Sequence, residues 1–184
     1  MFVKIDQQKA IEAAGVLLRL TKYFEMDRKR LLALLFLSER EAIKQTGRPL
    51  IGGRISALPF GPIHSEVYSL IQGAGRNQAE WSRHFENEKY RVRLADSGIG
   101  VSSLSRFEIA LLNEISAKYD GYGTWDVAEA SHTSDYHKNY IQGTSTTIPL
   151  EDIIDSVGRT TDKESILQDL QDSAAFDAFF GATA

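Results

Sequence analysis

Four histidines, His64, His84, His132 and His137, are the side chains best suited to acid-base or metal chemistry near neutral pH. His132 and His137 are five residues apart, so a helix sets them about 140° apart around its axis, a poor geometry for sharing one metal ion. The chain has no cysteine, which excludes disulfides, thiolate zinc sites and thiol nucleophiles. It also lacks an HExxH pair, a phosphate-binding P-loop, a dinucleotide fingerprint and a GxSxG elbow. Gly98-Ile99-Gly100 is an isolated turn signal. The acidic pair Glu151-Asp152 falls at a helix start, where carboxylates complement the positive dipole end. An enzyme would have to assemble its site in three dimensions, and His132, Trp125 and Glu129 are the place to seek it. The reading is therefore non-enzymatic, with no catalytic residue, cofactor or metal ligand set.

Residues suited to binding are easier to find. Arg28, Lys29 and Arg30 form a basic run at the start of a helix, electrostatically the wrong end for cations. Such a run suits an acidic partner or is a solvated face. Near the other end of the chain, Phe176, Phe179 and Phe180 cluster beside Asp169 and Asp172. Burying a Phe side chain is worth about 1.5–3 kcal/mol, so three left in water form a sticky patch. They are expected to pack on the body, on a partner or in a homodimer.

The elements that must position these residues are mostly helical. Asp6 caps a helix to about Tyr23, with apolar residues at helical spacing from Ala10 to Leu20. Asp27 caps a second helix that Gly47 ends. Its LLALLFL run, Leu31 to Leu37, is apolar all round and predicts a buried central helix that emerges where charge returns at Glu39, Arg40 and Glu41. Gly47 to Pro62 is rich in Gly and Pro; Gly52-Gly53 is expected to turn a short hairpin between Ile51 and Arg54. Pro62 is expected in the first turn of a helix reaching Gln72. A short helix holds Trp81 and Phe85, and Tyr90, Val92 and Leu94 alternate as a strand. Ser105 and Glu108 form a capping box for a helix to Lys118. Thr124 caps the helix TWDVAEASH, 143–147 is a linker, and Pro149 opens a helix to Val157. Thr161 and Glu164 suggest a second capping box before the last helix.

Composition bounds the class. With 184 residues, 42% hydrophobic and 25% charged, the chain suits one globular core. Residues 150–184 hold 8 acids and 2 bases, a net −6, while 1–149 hold 17 acids and 19 bases, a net +2. The acidic tail could steer a basic partner; the mild surplus in the body argues against direct DNA binding. The start MFVKIDQQKA carries no secretory pattern, and Leu31 to Leu37 is too short to span a bilayer, so a cytoplasmic protein without membrane contact is expected.

Three segments in order resemble the SocA-like Panacea antitoxin family. KRLLALLFLSERE, Lys29 to Glu41, is similar to the family's KLLYLADRE-type helix, with Phe36 at the aromatic place, Glu39-Arg40 at the acidic-basic pair and Leu35 among the structural residues of the pattern. Residues 47–71 resemble its GxPLxGxxYxAxxxGPVxxxVYxxL pattern through Gly61, Pro62 and Tyr68. Residues 104–132 resemble its closing long helix, YG turn, Trp-containing helix at Trp125 and terminal His132. The resemblance runs from about Asp6 to Tyr140. Arg54 and Ile55 depart from the usual Asp and Tyr, Ser131 replaces Thr, and Tyr136 or Tyr140 stands for a downstream Trp. What it implies is a predominantly α fold (α+β with a small hairpin) over 1–143, followed by an acidic helical extension over 144–184. It also implies a phage-associated antitoxin that binds a cognate protein toxin, which the acidic tail suggests is basic. Alternatives within the resemblance are an adaptor that delivers a toxin to an ATP-dependent protease, or a phage-borne regulator of a host protein.

Overall fold

The computed structural model describes residue 1 and residues 3–96 and 98–181. Helices dominate, and two small antiparallel sheets accompany them, so the fold is α+β and helix-rich. Among the described residues no helix is long and apolar enough to cross a membrane.

The organising element is the helix α2 (Arg28–Thr46), which follows α1 (Gln7–Arg19) and the short strand β1 (Glu25–Asp27). Asp27 caps it by accepting the Lys29 amide at 2.8 Å, and Gly47 ends it in the left-handed region at φ 73°. Every residue from Leu31 to Leu37 is buried, as an all-apolar run requires. The helix does not surface at the returning charges: Glu39, Ala42 and Ile43 are buried too. Helix α1 is shorter than the apolar spacing suggests. The Thr21 hydroxyl and amide both turn back to the Leu18 carbonyl, and Leu20 is exposed.

After α2 the chain forms a hairpin, but not at Gly52-Gly53. The strands are β2 (Ile55–Leu58) and β3 (Gly61–His64), turning through Pro59 and Phe60. Gly52 and Gly53 serve close packing instead: with φ of 68° and 86°, a Cβ on either would lie 2.9 Å from the Lys4 carbonyl or the Glu66 carboxylate. Pro62 sits in β3 and not in a helix. Its missing amide is tolerated because β3 is an edge strand, paired only with β2 in its sheet. The helix α3 (Ser65–Ile71) starts three residues later.

The helix α4 (Gln78–His84) holds the buried Trp81, while Phe85 opens the strand β4 (Phe85–Asn87). In β5 (Arg91–Leu94) Val92 and Leu94 are buried between exposed arginines, and Tyr90 lies outside the strand. This sheet runs β1-β5-β4. The capping box at Ser105 and Glu108 opens α5 (Arg106–Lys118). Next come α6 (Thr124–Ala130) and α7 (Ser134–Asn139). Gly123, not Thr124, is the residue before α6, and the Asp126 carboxylate accepts its amide at 3.2 Å.

The expected linker contains the strand β6 (Thr146–Thr147), which pairs with β2. The helix α8 (Leu150–Ser156) follows Pro149. No second capping box forms: a 3-10 helix (Thr160–Asp162) intervenes, held by the Arg159–Asp162 ion pair at 2.7 Å, before α9 (Lys163–Gly181). Two hydrophobic clusters result. The larger joins α1, α2, α5 and the β1-β5-β4 sheet. The smaller gathers Phe36, Ile43, Ile55, Tyr136, Ile153, Ile154 and Ile166, so residues after 144 share a core with α2.

Candidate partner-binding surfaces

The α2 face toward Gly47–Gly53 holds a buried carboxylate. Glu39 is 2% exposed and accepts amides of Leu50 (2.9 Å), Ile51 (2.8 Å) and Gly52 (3.0 Å). Burial pushes its carboxyl up to about 7, against the pull of those amides and of the Lys9 charge. On the other side of Gly52, the His64 ring donates from Nδ1 to its carbonyl at 3.0 Å. Desolvation lowers His64 to about 4, so it is neutral at pH 7. Gly52 is thus gripped at both its amide and its carbonyl, which fixes the loop before the hairpin. These two side chains have structural work.

A second buried polar group ties α2 to α7 and α8. Arg40 donates to Asp135 at 2.9 and 3.1 Å, and the Ser156 hydroxyl donates to the same carboxylate oxygen at 2.7 Å. The Asp135 side chain is fully buried. Arg40, read from the sequence as emerging into solvent, is the partner that makes this burial affordable in charge.

The hairpin meets the end of α6 by close approach. Gly61 has φ 120°, and a Cβ there would come 3.1 Å from Ser131 Oγ and 3.3 Å from His132 Nε2. His132 stacks on Tyr136 with ring centroids 4.4 Å apart, and Tyr136 donates its hydroxyl to the Leu58 carbonyl at 2.9 Å. His132 Nδ1 is 3.4 Å from the Glu129 carboxylate. Trp125 lies elsewhere: its ring, 68% exposed, carries Lys29 Nζ 3.9 Å from its centroid. The cavities lined by Glu39 and Ile43, by Gln7 and Glu80, and by Arg40 and Lys44 include none of His132, Trp125 and Glu129.

Two surfaces remain open. The first is the start of α2. Arg28 lies 5.6 Å from the exposed Tyr90 ring, Lys29 sits on Trp125, and Arg30 donates to the carbonyls of Tyr119 (2.7 Å) and Tyr122 (2.5 Å). The second is α9. Ile166 is buried and Leu167 and Leu170 are half-buried, but every residue from 171 to 180 is exposed. Phe176, Phe179 and Phe180 are 62%, 71% and 54% exposed. Their rings touch each other, with centroids 4.4 Å apart for Phe176–Phe180 and 5.1 Å for Phe179–Phe180. Asp169 and Asp172 are exposed on the same helix.

The other residues of the sequence pattern are structural in position. Leu35 and Phe36 are fully buried in α2, Gly61 and Pro62 form the edge strand, and Tyr68 in α3 faces Phe60 at 6.1 Å. The family model described as "Antitoxin SocA-like, Panacea domain" matches residues 31–136, more than half of the 184-residue chain. The chain belongs to the SocA-like Panacea family. The Panacea match therefore holds the buried helix α2 from Leu31, the hairpin and α6, and it ends at Tyr136 beside the Arg40–Asp135 pair. The basic run 28–30 and the α9 tail both lie outside the matched Panacea residues. No curated protein and no solved structure matches the chain.

Sequence reasoning missed Asp135 and Ser156, and it put Glu39 at the surface. A signal for Glu39 was present: Ala42 and Ile43 continue the apolar face one turn beyond it. Nothing in the sequence marks Asp135, because its partner lies 95 residues away.

Proposed function

We propose that this Panacea protein is an antitoxin that neutralises a cognate protein toxin by direct binding and itself catalyses no reaction. The observation that carries the reading is the α9 tail, an acidic helix that exposes Phe176 and Phe179 beyond its last packed residue, Leu170. Exposed aromatics next to carboxylates suit a basic partner with an apolar groove. Charge speeds the encounter, and desolvated rings slow dissociation. Aromatic anchors also concentrate binding energy at a few positions.

The test uses purified toxin and antitoxin alone. Toxin activity should fall stoichiometrically without protease or ATP; removal that needs both would make the protein an adaptor instead. Truncation after Leu170 removes only exposed residues among those described. It should leave the melting temperature nearly unchanged and weaken toxin binding by at least about tenfold, that is about 1.4 kcal/mol. Full affinity in the truncated protein would reject the tail as the anchor.

A further inference from the structure

Leu37, Arg40, Glu41 and Lys44 recur at helical spacing on one face of α2, and they form one wall of a cleft of about 300 Å³. Ile115, Lys118 and Tyr119 at the end of α5 form another wall. Thr133, before α7, and Ser156, at the end of α8, complete it. Charge in the cleft is uneven, because Arg40, Lys44 and Lys118 line it against one carboxylate, Glu41. Glu41 lies 3.9 Å from Lys44, a loose ion pair. Among the described residues Lys118 meets only the Tyr119 ring, 5.4 Å from its centroid. The buried Asp135 neutralises Arg40 from behind without exhausting it. Nε and Nη2 of Arg40 donate to Asp135 and Ser156. Its Nη1 makes no hydrogen bond among the described residues and is not sealed from solvent. The Thr133 hydroxyl has only a long contact, 3.4 Å to the Ser131 carbonyl. Unspent donors, most of them cationic, therefore line a concave site whose floor of Leu37, Ile115 and Tyr119 is buried.

We propose that this cleft binds a small phosphate monoester. An ester phosphate carries about −1.5 to −2 charges near pH 7 and three strong acceptor oxygens. A guanidinium edge and two ammoniums suit those oxygens, and the lining cations outnumber Glu41 and the Asp135 behind Arg40. A carboxylate ligand brings less charge and fewer acceptors to the same donors. The volume stands at the lower end of the range for small-molecule sites, about 300–1,000 Å³. The phosphate takes the charged rim, and a compact ring or short chain takes the apolar floor. Bound there, the ester ties α2 to α5 and α8 and stabilises the fold by mass action. The cleft shares no residue with the α9 tail, so it stands whether or not the tail is the toxin anchor.

The experiment is isothermal titration calorimetry of the full chain without toxin, at constant ionic strength, with phenyl phosphate, inorganic phosphate and benzoate as probes. Phenyl phosphate binds at one site per chain with a Kd of about 1 mM or below, at least about tenfold tighter than inorganic phosphate or benzoate. Lys44→Ala with Lys118→Ala removes two exposed cations. That variant keeps the circular dichroism spectrum and weakens phenyl phosphate by at least about tenfold. Arg40 stays in place, because it holds Asp135. Arg28→Ala with Lys29→Ala, two cations outside the cleft, keeps full affinity. Binding of phenyl phosphate weaker than the stated limit overturns the proposal, and so does full affinity in the Lys44 and Lys118 variant. Equal loss in the Arg28 and Lys29 variant shows general charge attraction and also overturns it. Benzoate binding as tightly as phenyl phosphate refutes the phosphate assignment. A phosphoserine peptide that binds more tightly than phenyl phosphate refutes the small-molecule assignment.

Discussion

At the scale of single residues, Glu39 and His64 oppose each other across Gly52. Glu39 is raised from 4.5 to about 7, so the native state holds the extra proton and Glu39's contribution to stability is lost as pH rises from 4.5 through 7. His64 is lowered from 6.5 to about 4, so its contribution is present above 6.5 and lost as pH falls through 4. Between about 4.5 and 6.5 the two slopes oppose. Glu39→Gln removes one of them. Denaturant titrations across that range should show stability rising with pH more steeply in the variant, by up to about 1.4 kcal/mol per unit. Equal slopes in the two proteins would refute the assignment. At pH 7 the same variant leaves one backbone amide facing an amide donor and should lose about 1–3 kcal/mol. Gly61 acts through space and backbone together. Gly61→Ala forces a Cβ against Ser131 and His132 at φ 120°, and calorimetry should show a loss of about 1–3 kcal/mol.

Between elements, the Arg40–Asp135–Ser156 group decides how α7 and α8 sit on α2. Asp135→Ala leaves a guanidinium without its partner in a mostly buried place, and chemical denaturation should show about 3–5 kcal/mol lost. Ser156→Ala removes one hydroxyl bond to the same oxygen and should cost about 1 kcal/mol. A comparable loss from both variants would mean that the ion pair adds little to the anchoring of α8. At this scale the sequence was partly legible. The all-apolar run Leu31 to Leu37, the Asp27 cap and the Ser105–Glu108 box are local signals, and all three appear where spacing put them. The hairpin was displaced by seven residues because Gly52-Gly53 carries the usual turn signal while its positive φ serves contact with Lys4 and Glu66. Pro62 reads as a helix start unless it is known to lie on a sheet edge, and strand order is a tertiary fact.

For the whole molecule, the division of labour runs along α2. Its buried middle carries both hydrophobic clusters, its first turn carries the cationic aromatic surface, and its far end seats the root of the α9 tail. The matched Panacea residues run from Leu31 to Tyr136, so the basic first turn of α2 and the α9 tail lie outside the match. The truncation after Leu170 probes the tail, while Glu39→Gln, Gly61→Ala and Asp135→Ala probe the frame that holds it.

The amino-acid sequence alone determined the central helix, its caps, the family pattern and the separation of charge between body and tail, since each rests on neighbours within a few turns of chain. Only the tertiary structure decided that Glu39 is buried, that Asp135 pairs with Arg40, that the hairpin turns at Pro59 and Phe60, and that three Phe rings face water. Burial and pairing at those positions depend on segments tens of residues away, and local periodicity carries no record of which distant surface arrives.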